Sequence, residues 1–86
     1  MNDMLEQVKG YLRIEGSEDD MNLTLLLDSA KEYFANAGVS EKKDSALYRL
    51  SVIIYTAIQY DPDSYRKLER SLQSNILQMK YEGETL

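Results

Sequence analysis

Leu23-Thr24-Leu25-Leu26-Leu27-Asp28-Ser29-Ala30-Lys31-Glu32-Tyr33-Phe34-Ala35-Asn36-Ala37-Gly38 decides how this chain folds. Leu23, Leu26, Leu27, Ala30, Phe34 and Ala37 recur at steps of three and four, which puts them on one stripe of an α-helix. Just upstream, Ser17 or Asp19 can cap that helix, and Glu18, Asp19 and Asp20 sit where the positive end of the macrodipole favours carboxylates. The acidic triplet therefore reads as a helix start and not as a metal site. Downstream, Gly38 closes the pattern, because a residue without Cβ adopts the left-handed conformation at little cost. Met21 and Leu25 fall off the stripe, so they are either partly exposed or covered by a neighbouring subunit.

Outward from this helix the punctuation continues. Leu5, Val8 and Leu12 form a shorter stripe with Tyr11 beside it, Asn2 or Asp3 can cap it, Ile14 anchors its exit and Gly16 breaks the pattern. Beyond Gly38, a short polar connection offers Ser40 or Asp44 as a cap for the next helix. That helix carries Leu47, Leu50, Ile53, Ile54, Ala57 and Ile58 and is apolar around more than half its circumference. Val52-Ile53-Ile54-Tyr55 alone would suit a strand, but an apolar pattern lasting about four turns favours a central buried helix. Pro62 disfavours a helical conformation at Asp61 and ends this helix; Asp61 with Pro62 can equally open the next one. Leu68, Leu72, Ile76 and Met79 then share one face, with Leu77 adjacent, on a helix that is continuous from about 63 or restarts near Ser71. The spacing predicts an all-α fold, a compact bundle of about four helices at approximately 3–13, 18–37, 41–60 and 64–80. It forms one domain over 1–81, followed by a flexible tail at 82–86.

Composition narrows the chemistry. A chain of 86 residues builds one small core, and such cores are commonly supplemented by disulfides, metal or self-association. Without cysteine or histidine, the first route is closed, a zinc site is disfavoured, and no Ser-His or Cys-His nucleophile can be assembled. Gly10, Gly16, Gly38 and Gly83 are isolated, so no glycine-rich phosphate loop is present. No apolar run reaches the roughly 20 residues that span a bilayer. No catalytic residue, cofactor or metal is expected. The net charge of −5 is unevenly spread: residues 1–41 carry nine acids and three bases, whereas residues 42–80 carry seven bases and four acids. That asymmetry suits head-to-tail packing of copies, although solvated helix faces account for it equally well.

Seven tyrosines are many for this length, and tyrosine suits subunit contacts because it is large, rigid and amphipathic. Tyr33, Tyr48 and Tyr60 are the candidate interface tyrosines, while Tyr55 fits the core as readily. Met79, Lys80 and Tyr81 can reach a neighbouring subunit from the last helix. Arg66, Lys67 and Arg70 form a basic face that can meet acids of a neighbour, DNA, or only solvent.

Taken in order, Leu5-x-x-Val8-Lys9-x-Tyr11-Leu12-x-Ile14, the acidic turn, and Asp20-x-x-Leu23-x-x-Leu26-Leu27-x-x-Ala30-Lys31-x-Tyr33 resemble the opening of the small head–tail connector proteins of tailed bacteriophages. The apolar helix with Tyr55 and Tyr60 near its end and the closing Ile76-Leu77-Gln78-Met79-Lys80-Tyr81 extend the resemblance over roughly residues 5–81. Two connections are shorter than in many relatives, the passage from Gly38 to Ser40 and the stretch Asp61–Tyr65. The resemblance implies a structural role in head completion, without a reaction: copies ring the exit channel of a DNA-filled capsid. They would contact one another and the phage portal protein, extend the channel, and offer a landing surface to a stopper or tail-completion protein. Contact with packaged DNA would be non-specific at most. The subunit itself, encoded by a phage or prophage, would be monomeric when free and would reside in the virion neck after assembly in the host cytoplasm. Under that reading Tyr33, Tyr48, Tyr60, Met79, Lys80 and Tyr81 face subunits or portal. The competing expectation is a small acidic helical adaptor or anti-regulatory protein that binds a host partner.

Overall fold

The computed structural model describes residues 3–42 and 44–84. Its regular structure is helical throughout the described residues: α1 Asp3–Leu12, α2 Asp20–Asn36, α3 Ala46–Tyr60, α4 Pro62–Tyr65, a 3-10 turn Arg66–Leu68, and α5 Glu69–Glu84. α4, the turn and α5 follow one another as a single bent arm in the place of the expected fourth helix, so the all-α bundle stands.

α3 is the centre of the bundle. It packs against α1, α2, α4 and α5, and Tyr48, Ser51, Val52, Ile53, Ile54, Thr56, Ala57 and Ile58 are all buried. A helix apolar on most sides has no stable place except between other helices. α2 covers it with Leu23, Leu27, Ala30 and Phe34, α1 with Val8, and α5 with Leu72, Ile76 and Met79. Phe34 is fully buried and contributes about 2–3 kcal/mol by removal from water. The shortest extent of the molecule, 19 Å, is about two helix diameters. Among the described residues two polar side chains share this interior. Thr56 Oγ1 donates to the Val52 carbonyl at 2.8 Å, whereas the buried Ser51 hydroxyl has no hydrogen-bond partner among the described residues.

The helix ends explain most of the boundaries. At the end of α2, Gly38 has φ +91; its N–H donates to Ala35 O (3.1 Å) while the Val39 N–H donates to Phe34 O (2.8 Å). These two bonds make a Schellman cap, and buried Val39 seals it against the core. α1 ends in the same way one turn earlier than Gly16: Arg13 N–H meets Gly10 O at 3.2 Å and Ile14 N–H meets Lys9 O at 2.9 Å. Here the left-handed residue is Arg13, at φ 60, and not a glycine. α3 begins five residues later than the expected 41, because Ser45 in an extended conformation accepts the Tyr48 N–H at 3.1 Å and caps it. Asp61 does both jobs foreseen for it, ending α3 and capping α4 through Ser64 N–H, with Pro62 in the first turn. The arm bends at the 3-10 turn and restarts at Glu69 instead of Ser71. α5 runs on to Glu84, past the expected end at 80. The cap at Asn2 or Asp3 and the end of the expected tail, residues 85 and 86, lie outside the described side chains.

Candidate assembly surface

The acidic turn before α2 does something other than cap. Asp19 occupies the N-cap position, but its side chain makes no capping hydrogen bond. The Asp19 carboxylate instead accepts the Tyr60 hydroxyl (2.5 Å) from the end of α3. Its neighbour Asp20 forms an ion pair with Lys9 Nζ of α1 at 2.8 Å. Two adjacent carboxylates thus tie the start of α2 to both neighbouring helices. The hydrogen bond that Lys9 donates to Asp20, opposed by desolvation and aided by the charges of Asp20 and Glu6, holds the Lys9 ammonium above its ordinary value. Tyr60 is pushed up first by its hydrogen bond to Asp19, then by desolvation and the negative charges of Asp19 and Asp61. Among the described residues no cluster of acidic side chains could hold a metal ion. Tyr60 was expected at an interface; the structure gives its hydroxyl an internal partner 41 positions away in the chain.

The remaining aromatic side chains divide between core and surface. Phe34 meets Tyr48 and Tyr55 edge-on, each with ring centroids 6.0 Å apart, and Tyr55 stacks on Tyr33 at 5.0 Å. Tyr48 is buried, and burial followed by the charge of Glu41 raises its pKa. Met79 is buried as well. Tyr48, expected at an interface, is spent inside the subunit against Phe34, and Met79, expected both on the apolar face of the last helix and at a neighbour, takes the first of those places. Tyr33 keeps 40% of its surface exposed at the mouth of a groove of about 280 Å³ between α2, α3 and α5. Tyr55, Ile58 and Leu72 form the rest of its apolar lining, with Glu69 and Gln73 at the rim.

Outside the core, a second set of side chains is exposed on the arm and on α2. Lys80 lays its stem against the end of α2, where a Cβ on Gly38 would be 3.5 Å from its Cε. Tyr81 is 70% exposed, and Arg66, Lys67 and Arg70 are all exposed along the arm. The structure therefore leaves Tyr33, Lys80, Tyr81 and the basic residues available on the surface. Met21 at 87% and Leu25 at 67% are exposed, one of the two outcomes their place off the stripe allows, and the structure adds Leu77 at 63% exposure. Leu77 was passed over in sequence because an apolar residue next to a core stripe looks like part of it. Helical angle is the signal that separates it, since one position beyond Ile76 lies about 100° around the helix. No described helix is long and apolar enough to cross a membrane.

The family described as "Phage gp6-like head-tail connector protein" matches residues 2–79 of the chain. No curated protein and no solved structure matches it.

Proposed function

This chain belongs to the phage gp6-like head-tail connector family, and we propose that it is one subunit of a ring that attaches to the portal vertex of a DNA-filled head. In that position it extends the DNA channel and offers a docking surface to the stopper or tail-completion protein. The match over residues 2–79, which takes in α1 to α4 and most of α5, carries this reading. A structural subunit works by surface, and the surface here supports the role: exposed Tyr33, Lys80 and Tyr81 offer amphipathic contacts to subunits or portal. Arg66, Lys67 and Arg70 supply positive charge for acidic neighbours or for the phosphates of DNA in the channel.

The test is co-sedimentation of the purified chain with portal-bearing, DNA-filled heads that lack it, followed by cryo-microscopy of the vertex. A ring of added density on the portal is the expected result. Failure to bind such heads, together with capture of a host protein by the same preparation, would refute the connector role in favour of an adaptor.

A further inference from the structure

We propose that α2 and α5 carry the two halves of a head-to-tail contact between copies of this chain. The outer row Met21-Leu25-Asp28-Glu32 of one copy lies antiparallel against the outer row Arg70-Ser74-Leu77-Tyr81 of the next. The contact deepens the ring-subunit reading above and takes its setting from it; its content comes from the pattern of the two rows.

The α2 row follows from the core stripe. Leu23, Leu27, Ala30 and Phe34 face inward, and at about 100° per residue Met21, Leu25, Asp28 and Glu32 fall on the opposite side. All four are exposed. Their steps are four, three and four, so they form one continuous ridge along the helix. On α5, Leu72, Ile76 and Met79 face inward, and Arg70, Ser74, Leu77 and Tyr81 form a second exposed ridge, also at steps of four, three and four.

Read in opposite directions, the ridges match position for position. Met21 meets Tyr81, Leu25 meets Leu77, Asp28 meets the Ser74 hydroxyl, and Glu32 meets the Arg70 guanidinium. The most exposed large apolar side chains among the described residues are thereby covered by each other, and the charges at the other end are opposite in sign. A parallel alignment fails the same comparison, since it sets Leu77 against the Asp28 carboxylate and Leu25 against Ser74. The antiparallel arrangement also opposes the two helix dipoles. Within one subunit both helices turn their inner stripes to α3 and their ridges away from it, so the ridges of one copy cannot reach each other. A second copy supplies the complement. Because the two patches differ, each copy keeps one free half at either end, and the contact repeats until a ring closes.

The chain has no cysteine, which makes the contact directly testable. The double variant Leu25→Cys/Leu77→Cys, treated with a short bismaleimide, should give a ladder of linked subunits both on portal-bearing heads and in concentrated solution. Met21→Cys/Arg70→Cys should not, because in the antiparallel register those positions lie about 16 Å apart along the helix axis; the parallel register would place them together. Glu32→Arg and Arg70→Glu should each weaken self-association by roughly threefold or more, and the doubly reversed variant should recover it. All substituted positions are exposed, and unchanged far-ultraviolet circular dichroism verifies the fold. Head-bound protein without a Leu25–Leu77 ladder overturns the contact and leaves the connector role intact. A ladder in solution from protein that ignores heads supports the contact and refutes the role. An equal ladder from Met21→Cys/Arg70→Cys, or no ladder in either setting, overturns the contact.

Discussion

Replacing Arg13 by glycine should stabilise this protein, an unusual expectation for a glycine placed at the end of a helix in a small domain. Arg13 closes α1 in the left-handed conformation, at φ 60, through the same pair of bonds that Gly38 uses at φ +91 to close α2. A residue with a Cβ pays about 1–2 kcal/mol in that conformation because the Cβ crowds the following carbonyl. Glycine removes the crowding but loses more freedom on folding, at a cost of about 0.5–1 kcal/mol. The Arg13 side chain is exposed, so its removal subtracts little packing. The net gain is about 0.5–1 kcal/mol, which for a domain of this size raises Tm by about 3–6 °C. Thermal unfolding followed by circular dichroism at 222 nm, with urea titration as a second measure, reads this directly. Arg13→Ala is the decisive control: it deletes the side chain, keeps the Cβ, and should leave Tm near that of the parent. Gly38→Ala is the converse, losing about 1 kcal/mol from the backbone alone, since the nearest side-chain atom would be at an ordinary 3.5 Å. If Arg13→Gly and Arg13→Ala shift Tm equally, or the glycine lowers it, the strain argument is wrong.

Other expectations are simpler. Ser51→Ala should raise stability by about 1 kcal/mol in urea titration, because it removes a buried hydroxyl that has no partner among the described residues; a loss would show that the hydroxyl is satisfied in solution. Tyr60→Phe should lower Tm and loosen hydrogen-exchange protection in the first turn of α2, where Asp19 loses its donor; unchanged protection would mean the bond does not hold that turn. Lys9, Tyr48 and Tyr60 all hold their protons more tightly in the folded chain than at the ordinary values of 10.5 and 10.0. Their contribution to stability is therefore complete below those values and is lost as pH rises through the higher folded ones. Tm should fall above pH 10 in the parent, and less steeply in a Lys9→Met/Tyr60→Phe variant.

Periodicity carried the bundle from sequence to structure. The stripe on α2, its glycine stop and the near-total apolarity of α3 depend only on residues a few positions apart, and local spacing records them. Asp61 with Pro62 was legible for the same reason. What escaped were features decided at a distance or by the backbone itself. Nothing in Arg13 announces a left-handed residue, so the spacing ends α1 at about 13, within a residue of the observed Leu12, without showing what stops it. The acidic turn offered good caps, but its carboxylates found Lys9 and Tyr60 first, and a partner 41 residues away leaves no local mark. Tyr48 has the chemistry of an interface residue, and Met79 has both that chemistry and a place on the apolar face of its helix. Their burial follows from which side of α3 and α5 the bundle covers, a matter of tertiary angle. Leu25 was legible, since it falls off the α2 stripe and is exposed as that place allows, whereas Leu77 sits beside Ile76 and only the angle of α5 in the bundle turns it outward.

The central position of α3 also bears on how the chain is made. During synthesis α1 and α2 leave the ribosome before α3, carrying Val8, Leu23, Leu27 and Phe34 with only each other's helix for cover, because most of the surface they pack on begins at Ala46. The nascent N-terminal half is thus a pair of marginal helices with an open apolar face. Emergence of α3 supplies the surface that α1 and α2 pack on, and the middle helix is enclosed only once α5, which ends at Glu84, has followed it. A chain stopped before Tyr60 lacks the end of α3 and the whole of α5, and such a fragment is suited to aggregation or proteolysis instead of assembly.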